Sequence, residues 1–103
     1  MPLEPLSPCL EIVSFTLASG HDVASLTARA KGIMPWLEKQ PGFVARTLVG
    51  PDEGGRYLDI VRWQSLTEAQ QAAEKAMAEP AFGAFMEAID EASVRMQHLP
   101  IRL

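Results

Sequence analysis

The stretch "GRYLDIVRWQS", residues 55–65, decides how the chain is read. Tyr57, Ile60, Val61 and Trp63 suit a pleated, half-buried surface, so the stretch is a β-strand. At its centre stands a carboxylate. Asp59 shares one side of the strand with Tyr57, Val61 and Trp63, because alternate strand residues face the same way. A carboxylate among such neighbours is costly unless it is paired, hydrogen-bonded or used in chemistry.

Outward from this strand the chain alternates between recognisable elements. Upstream, "FVARTLV" (43–49) is a second strand-like run, joined to the first by "GPDEGG" (50–55). That loop is rich in turn formers and lacks both the phosphate-loop spacing and its following lysine, so it reads as a hairpin turn and not a nucleotide cradle. Downstream, Ser65 and Glu68 in "SLTE" have capping-box spacing, which starts a helix. Its stripe of Leu66, Ala69, Ala73, Ala76 and Met77 is mostly small. Pro80 breaks the run, and a second helical segment carries Phe82, Phe85, Met86 and Ile89 on one face. "SVRMQHLPIRL" (93–103) closes the chain as a strand.

On the N-terminal side, "CLEIVSFTLA" (9–18) is a further strand, with Val13, Phe15 and Leu17 on one face and Ile12, Ser14 and Thr16 on the other. Either Ser19 or Asp22 is placed to cap the helix that follows, whose stripe is Val23, Leu26, Ala30, Ile33, Met34 and Leu37. Gly32 and Pro35 predict a kink or a restarted last turn, and "QPGF" (40–43) stops the helix. Pro2, Pro5 and Pro8 make residues 1–8 an extended N-terminal arm, leaving 9–103 as a single domain.

The order is β-α-β-β-α-β, an α+β, ferredoxin-like arrangement with a four-stranded antiparallel sheet and the helices on one face. The strands carry apolar residues on both sides, whereas a sheet with one wet face alternates cleanly. A second subunit is the natural cover, so a homodimer is expected. With 103 residues, a formal net charge of -4 and nine scattered basic residues, the chain has no cationic surface for nucleic acid or anionic lipid. Its first residues have no basic n-region, and no run is long enough to span a membrane, so a cytoplasmic location is expected. Cys9 is the sole cysteine, and neither histidine has a second ligand at metal-binding spacing. Neither a metal nor a cofactor is expected.

"PWLEKQPGFVARTLV", "YLDIVRWQS" and "EPAFGAFMEAID" together resemble the antibiotic biosynthesis monooxygenase-like group of the dimeric α+β barrel superfamily. The resemblance runs from Cys9 onward. It implies two sheets facing each other across a dimer and a pocket in each subunit between its own sheet and helices. Members that oxidise polyketide anthrones without a cofactor have an asparagine and, four residues on, a tryptophan on the third strand. Asp59 and Trp63 fall at those places. Their helical tyrosine and arginine fall on Ala69 or Ala72 and near Met86. The asparagine, tryptophan and histidine of the haem-degrading branch fall on Val13, Ala76 and Met86.

Two roles stand open for Asp59. One is a polar anchor or general base in a pocket for a small aromatic or polyketide-like molecule, with Trp63, Tyr57, Val61, Phe15, Phe82 and Met86 as the apolar wall. Activity is then expected to fall in Asp59→Ala with the fold intact. The other pairs Asp59 with an arginine on a neighbouring strand or across the dimer, Arg46 being one candidate. His98, sharing its strand face with Val94 and Met96, is either a proton shuttle or an interface histidine, and His21 lies at the start of the first helix. The activity that the resemblance implies is that of a cofactor-independent monooxygenase. The alternatives are a non-enzymatic dimeric ligand-binding or stress-associated protein, and a cofactor-free isomerase using Asp59 with His98 as its acid and base.

Overall fold

The computed structural model describes residues 5–103. Strands β1 (Cys9–Phe15), β2 (Phe43–Val49), β3 (Tyr57–Trp63) and β4 (Arg95–Pro100) form one antiparallel sheet in the order β2-β3-β1-β4. Helix α1 (Val23–Leu37) follows β1, and α2 (Leu66–Ala76) and α3 (Pro80–Glu87) follow β3. The α+β, ferredoxin-like expectation is met, with the second helix divided at Pro80. That proline occupies the first helical positions, where its missing N–H costs nothing, and Glu79 caps the new start through Ala81 N.

Local chemistry sets the remaining boundaries. Asp22, rather than Ser19, caps α1, accepting from Ser25 N at 2.8 Å. Helix α1 then runs unbroken through Pro35 to Leu37, so no restarted turn exists. Pro35 lies in the last turn, where few bonds remain to be lost and the packing of Ile33 and Leu37 against the core holds the helix. The capping box forms as its spacing predicts: Ser65 accepts from Glu68 N at 3.1 Å, and the Glu68 carboxylate accepts from Ser65 Oγ at 3.0 Å. Gly42, at φ +83°, approaches the Glu68 side chain so closely that a Cβ there would collide with it.

Of the expected arm, residues 1–4 lie outside the described residues. The Pro5 carbonyl accepts from Thr67 at the start of α2, and the Pro8 carbonyl accepts from Ile101 N.

All three helices pack on one side of the sheet. Along β3 burial alternates, with Tyr57, Asp59, Val61 and Trp63 buried on the helix side. Register places Val13 opposite Asp59 and Glu11 opposite both Val61 and His98, because β1 lies between β3 and β4. The far side of the sheet leaves Leu58, Leu99 and Val49 at 37%, 43% and 44% exposure. Those values identify an apolar sheet face that the chain's own helices do not cover. Among the described residues no helix is long and apolar enough to cross a membrane.

Candidate functional site

Between the helix side of the sheet and the three helices lies a cavity of about 280 Å³. Its floor is Glu11, Val13, Asp59, Val61 and Trp63 from β1 and β3, with Arg46 from β2 and Met96 from β4. Every side chain contributed by the helices is uncharged, including Trp36 of α1, Ala72 and Ala76 of α2, and Phe82, Phe85 and Met86 of α3. The alanines of α2 admit the space, since larger residues there would fill it. Met77 and Met96, at 80% and 53% exposure, line the wall where it opens to solvent.

Two carboxylates belong to this floor. Asp59 is held by Arg46 in a bidentate pair, accepting from Nε at 2.9 Å and from the second terminal nitrogen at 2.6 Å. The other terminal nitrogen of Arg46 donates to the Ala30 carbonyl at 2.8 Å, and the guanidinium lies 5.2 Å from the centre of the Phe85 ring. Both groups are almost fully enclosed, with side-chain exposures of 6% for Arg46 and 10% for Asp59. Of the two roles open for Asp59 in the sequence, the pair with Arg46 is therefore formed. It is formed at the cavity wall.

Glu11 is the second carboxylate, and its Oε2 lies 2.8 Å from Nε2 of His98. Burial pushes the Glu11 carboxyl above its ordinary value, and nearby Asp59 pushes the same way, while His98 and the Trp63 indole hold it down. The indole Nε1–H is buried and completes no hydrogen bond among the described residues. It nonetheless lies near enough to Glu11 to favour the ionised carboxylate. The remaining oxygen, Glu11 Oε1, has no ion-pair partner among the described residues.

The residues singled out in the sequence divide accordingly. Asp59, Val61, Trp63, Phe82 and Met86 line the cavity. Phe15 and Tyr57 do not. Their rings stack at 5.7 Å at the opposite end of the strands, and Phe15 also meets Phe85 edge-on at 6.1 Å, which makes both of them core residues. His98 reaches the cavity only through Glu11, and no Asp59–His98 pair exists because β1 stands between their strands. His21 bonds Ser25 at the start of α1, at 3.0 Å. Glu11 and Trp36 were not recognised as site residues. The signal for Glu11 was the same as for Asp59: a carboxylate inside a β-branched run, on the Val13 face of "CLEIVSF".

Cys9 is buried, and burial raises its thiol above the ordinary value, the form of a packing residue. Among the described residues no cluster of three or more His, Cys, Asp or Glu side chains is arranged to hold a metal ion.

No family model matches the chain, and no curated protein matches it. Solved structures do. The chain is similar to SnoaB, a cofactor-independent oxygenase from Streptomyces nogalater, with a TM-score of 0.77 and 18% identity over 94% of this chain and 95% of that one. It is similar to the haem-degrading protein Rv3592 from Mycobacterium tuberculosis, with a TM-score of 0.68 and 21% identity over 94% and 93% of the two chains. A Caulobacter crescentus protein provisionally assigned as an antibiotic biosynthesis monooxygenase gives 0.76 and 11% over 96% and 93%. At such identities the likeness establishes the fold. It is the fold that SnoaB and the Caulobacter protein share.

Proposed function

We infer that the protein binds a small aromatic or polyketide-like molecule in the cavity and oxidises it without a cofactor, as a homodimer in the cytoplasm. The observation carrying this reading is the cavity itself: an apolar, aromatic-walled space of about 280 Å³ with carboxylates confined to its floor. A cavity of roughly 150 Å³ already accommodates benzene, so this one has room for a fused ring system. Trp63, Val61, Phe82 and Met86 would hold the ring faces, and the Arg46–Asp59 pair would fix the polar end of the floor.

The chemistry needs a substrate whose own carbanion reduces oxygen. An activated CH2 loses a proton to a base, the carbanion passes its electrons to O2, and loss of water from the hydroperoxide leaves a carbonyl: CH2 and O2 become C=O and H2O. The protein's share is to bind the ring, take the proton and keep bulk water away. Haem-degrading chemistry receives no support, because Val13, Ala76 and Met86 fall where that branch has an asparagine, a tryptophan and a histidine.

A second reading has its own observation. Helix α2 presents alanines to the cavity where cofactor-free oxygenases of this fold carry a polar side chain, which favours a ligand-binding module without turnover. One experiment separates the two: a thermal-shift screen with anthrone-like phenols and quinols, followed by oxygen uptake with any compound that stabilises the fold. Stabilisation with stoichiometric oxygen uptake supports the oxygenase, stabilisation without turnover supports the binding module, and anaerobic turnover indicates an isomerase. The dimer is tested by Leu58→Glu, which places a charge on the uncovered sheet face. Sedimentation velocity is expected to give a dimer for the parent and a monomer for the variant. A parent that sediments as a monomer refutes the dimer.

A further inference from the structure

The two carboxylates on the cavity floor differ in how much of each is already spent. Asp59 gives both oxygens to Arg46. Glu11 gives one oxygen to His98, and beside that bond only the Trp63 indole N–H favours its ionised form, so it is the less committed of the two. A base needs an accessible lone pair, and Glu11, which has no arginine fork across it, holds the more open one. The rest of the wall adds no competing charge. From β2 and β3 it has only Arg46 and Asp59, which are paired with each other, from β4 it has His98 behind Glu11, and from the helices it has uncharged side chains.

We propose that Glu11, rather than Asp59, accepts a proton from the ligand, that His98 positions it, and that the ligand is a neutral aromatic bearing an acidic hydroxyl. This inference rests on the reading of the cavity as a small-molecule site. In the step, the hydroxyl O–H bond breaks, the proton forms a new O–H bond on Glu11 Oε1, and the electron pair stays on the ligand oxygen. The choice of ligand follows from counting donors and charges. An anionic ligand would meet a second carboxylate, Glu11, where the floor's arginine is already taken by Asp59. An ammonium would bring a charge and three donors out of water into an apolar cavity that meets them with one open carboxylate. A hydroxyl brings one donor to one acceptor.

The carboxyl's raised proton affinity suits this task, because burial makes Glu11 a better base than a solvated glutamate. His98 and Trp63 act against that effect.

The test uses 4-nitrophenol, with 4-nitroanisole as an isostere that cannot ionise, titrated into the full chain below and above the ionisation of the phenol. The parent is expected to bind the neutral phenol about tenfold more tightly than the phenolate, through a charge-assisted bond to Glu11 and repulsion of the anion. Glu11→Gln is expected to erase that preference, while 4-nitroanisole binds both proteins alike at both pH values. His98→Gln, which can still donate to Glu11, should retain the preference, and His98→Leu should weaken it.

If both probes bind and Glu11→Gln keeps the parental preference, Glu11 is not the acceptor and the cavity reading survives alone. If His98→Leu behaves as the parent, His98 has no positioning role. If neither probe binds parent or variant, the small-molecule reading fails and this inference falls with it. Thermal unfolding of each variant confirms that the binding changes occur on a folded protein.

Discussion

Two carboxylates, each with one partner side chain, lie a strand apart on the same face of one sheet, and the two pairs are built to different ends. Arg46–Asp59 is closed: two bonds join the partners, a third ties the guanidinium to α1, and Phe85 covers it. Glu11–His98 is open, joined by one bond, with side-chain exposures of 17% for His98 and 15% for Glu11. The closed pair spends its hydrogen-bonding capacity on holding β2, β3 and α1 together. The open pair keeps a lone pair in reserve at the cavity wall. A buried charge therefore does not by itself identify a reactive group; what remains unsatisfied around it does.

The largest effect should come from breaking the closed pair. Asp59→Ala leaves a buried guanidinium without its counter-charge and is expected to cost about 3–5 kcal/mol in urea unfolding, a loss that tests the expectation of an intact fold. Replacing both partners together, as Arg46→Met with Asp59→Leu, should recover most of that loss, because no orphan charge remains. Glu11→Gln keeps an acceptor for His98 and is expected to cost under about 1.5 kcal/mol. Equal losses for Asp59→Ala and Glu11→Gln would remove the distinction between the pairs. With a compound that supports oxygen uptake, Glu11→Gln is expected to lower kcat by roughly 10²- to 10⁴-fold, the usual worth of a general base.

How far the sequence carried the reading can be judged from particular residues. Alternation along "YLDIVRW", the Ser65 and Glu68 spacing and the turn-rich "GPDEGG" specify hairpin and helix start locally, and the structure has both. Pro35 misled, because helix breaking is a local rule and the tertiary packing of Ile33 and Leu37 overrides it in the last turn. Trp63 and Asp59 were legible as a site because a strand's period puts them on one face. The division of labour between Asp59 and Glu11 was not, since it depends on which strand lies between which, and on where the side chain of Arg46 ends. The same non-local fact, β1 inserted between β3 and β4, separates Asp59 from His98 and gives His98 to Glu11.

A subtler contrast between the pairs appears in the pH dependence of stability. The Glu11 carboxyl is raised above its ordinary value of 4.5, first by burial and then by Asp59, so the folded state holds this proton more tightly than the unfolded chain does. The resulting stabilisation is fully present below the unfolded value and is lost as pH rises through the higher folded one. The difference in unfolding free energy between parent and Glu11→Gln should therefore fall with pH from about 4.5 upward and then level off. A difference that rises over this range would mean that His98 and Trp63 outweigh burial.

The smallest expected change sharpens the role of Trp63. Its indole is 2% exposed and meets Phe43 edge-on at 5.9 Å, so Trp63→Phe loses some packing. It also removes a buried N–H that sits beside Glu11 without a well-formed hydrogen bond, so loss and gain partly offset and the net change in stability should stay within about 1 kcal/mol. The informative effect is on Glu11. That N–H holds the carboxyl down, so in the Trp63→Phe background the pH range over which the Glu11 contribution disappears should move upward. Comparing Trp63→Phe with Trp63→Phe/Glu11→Gln across pH measures the shift directly. No movement would mean that the indole does not act on Glu11. A downward movement would mean that water enters the vacated space and relieves the burial that raises the carboxyl, making Trp63 a barrier to solvent before it is a donor.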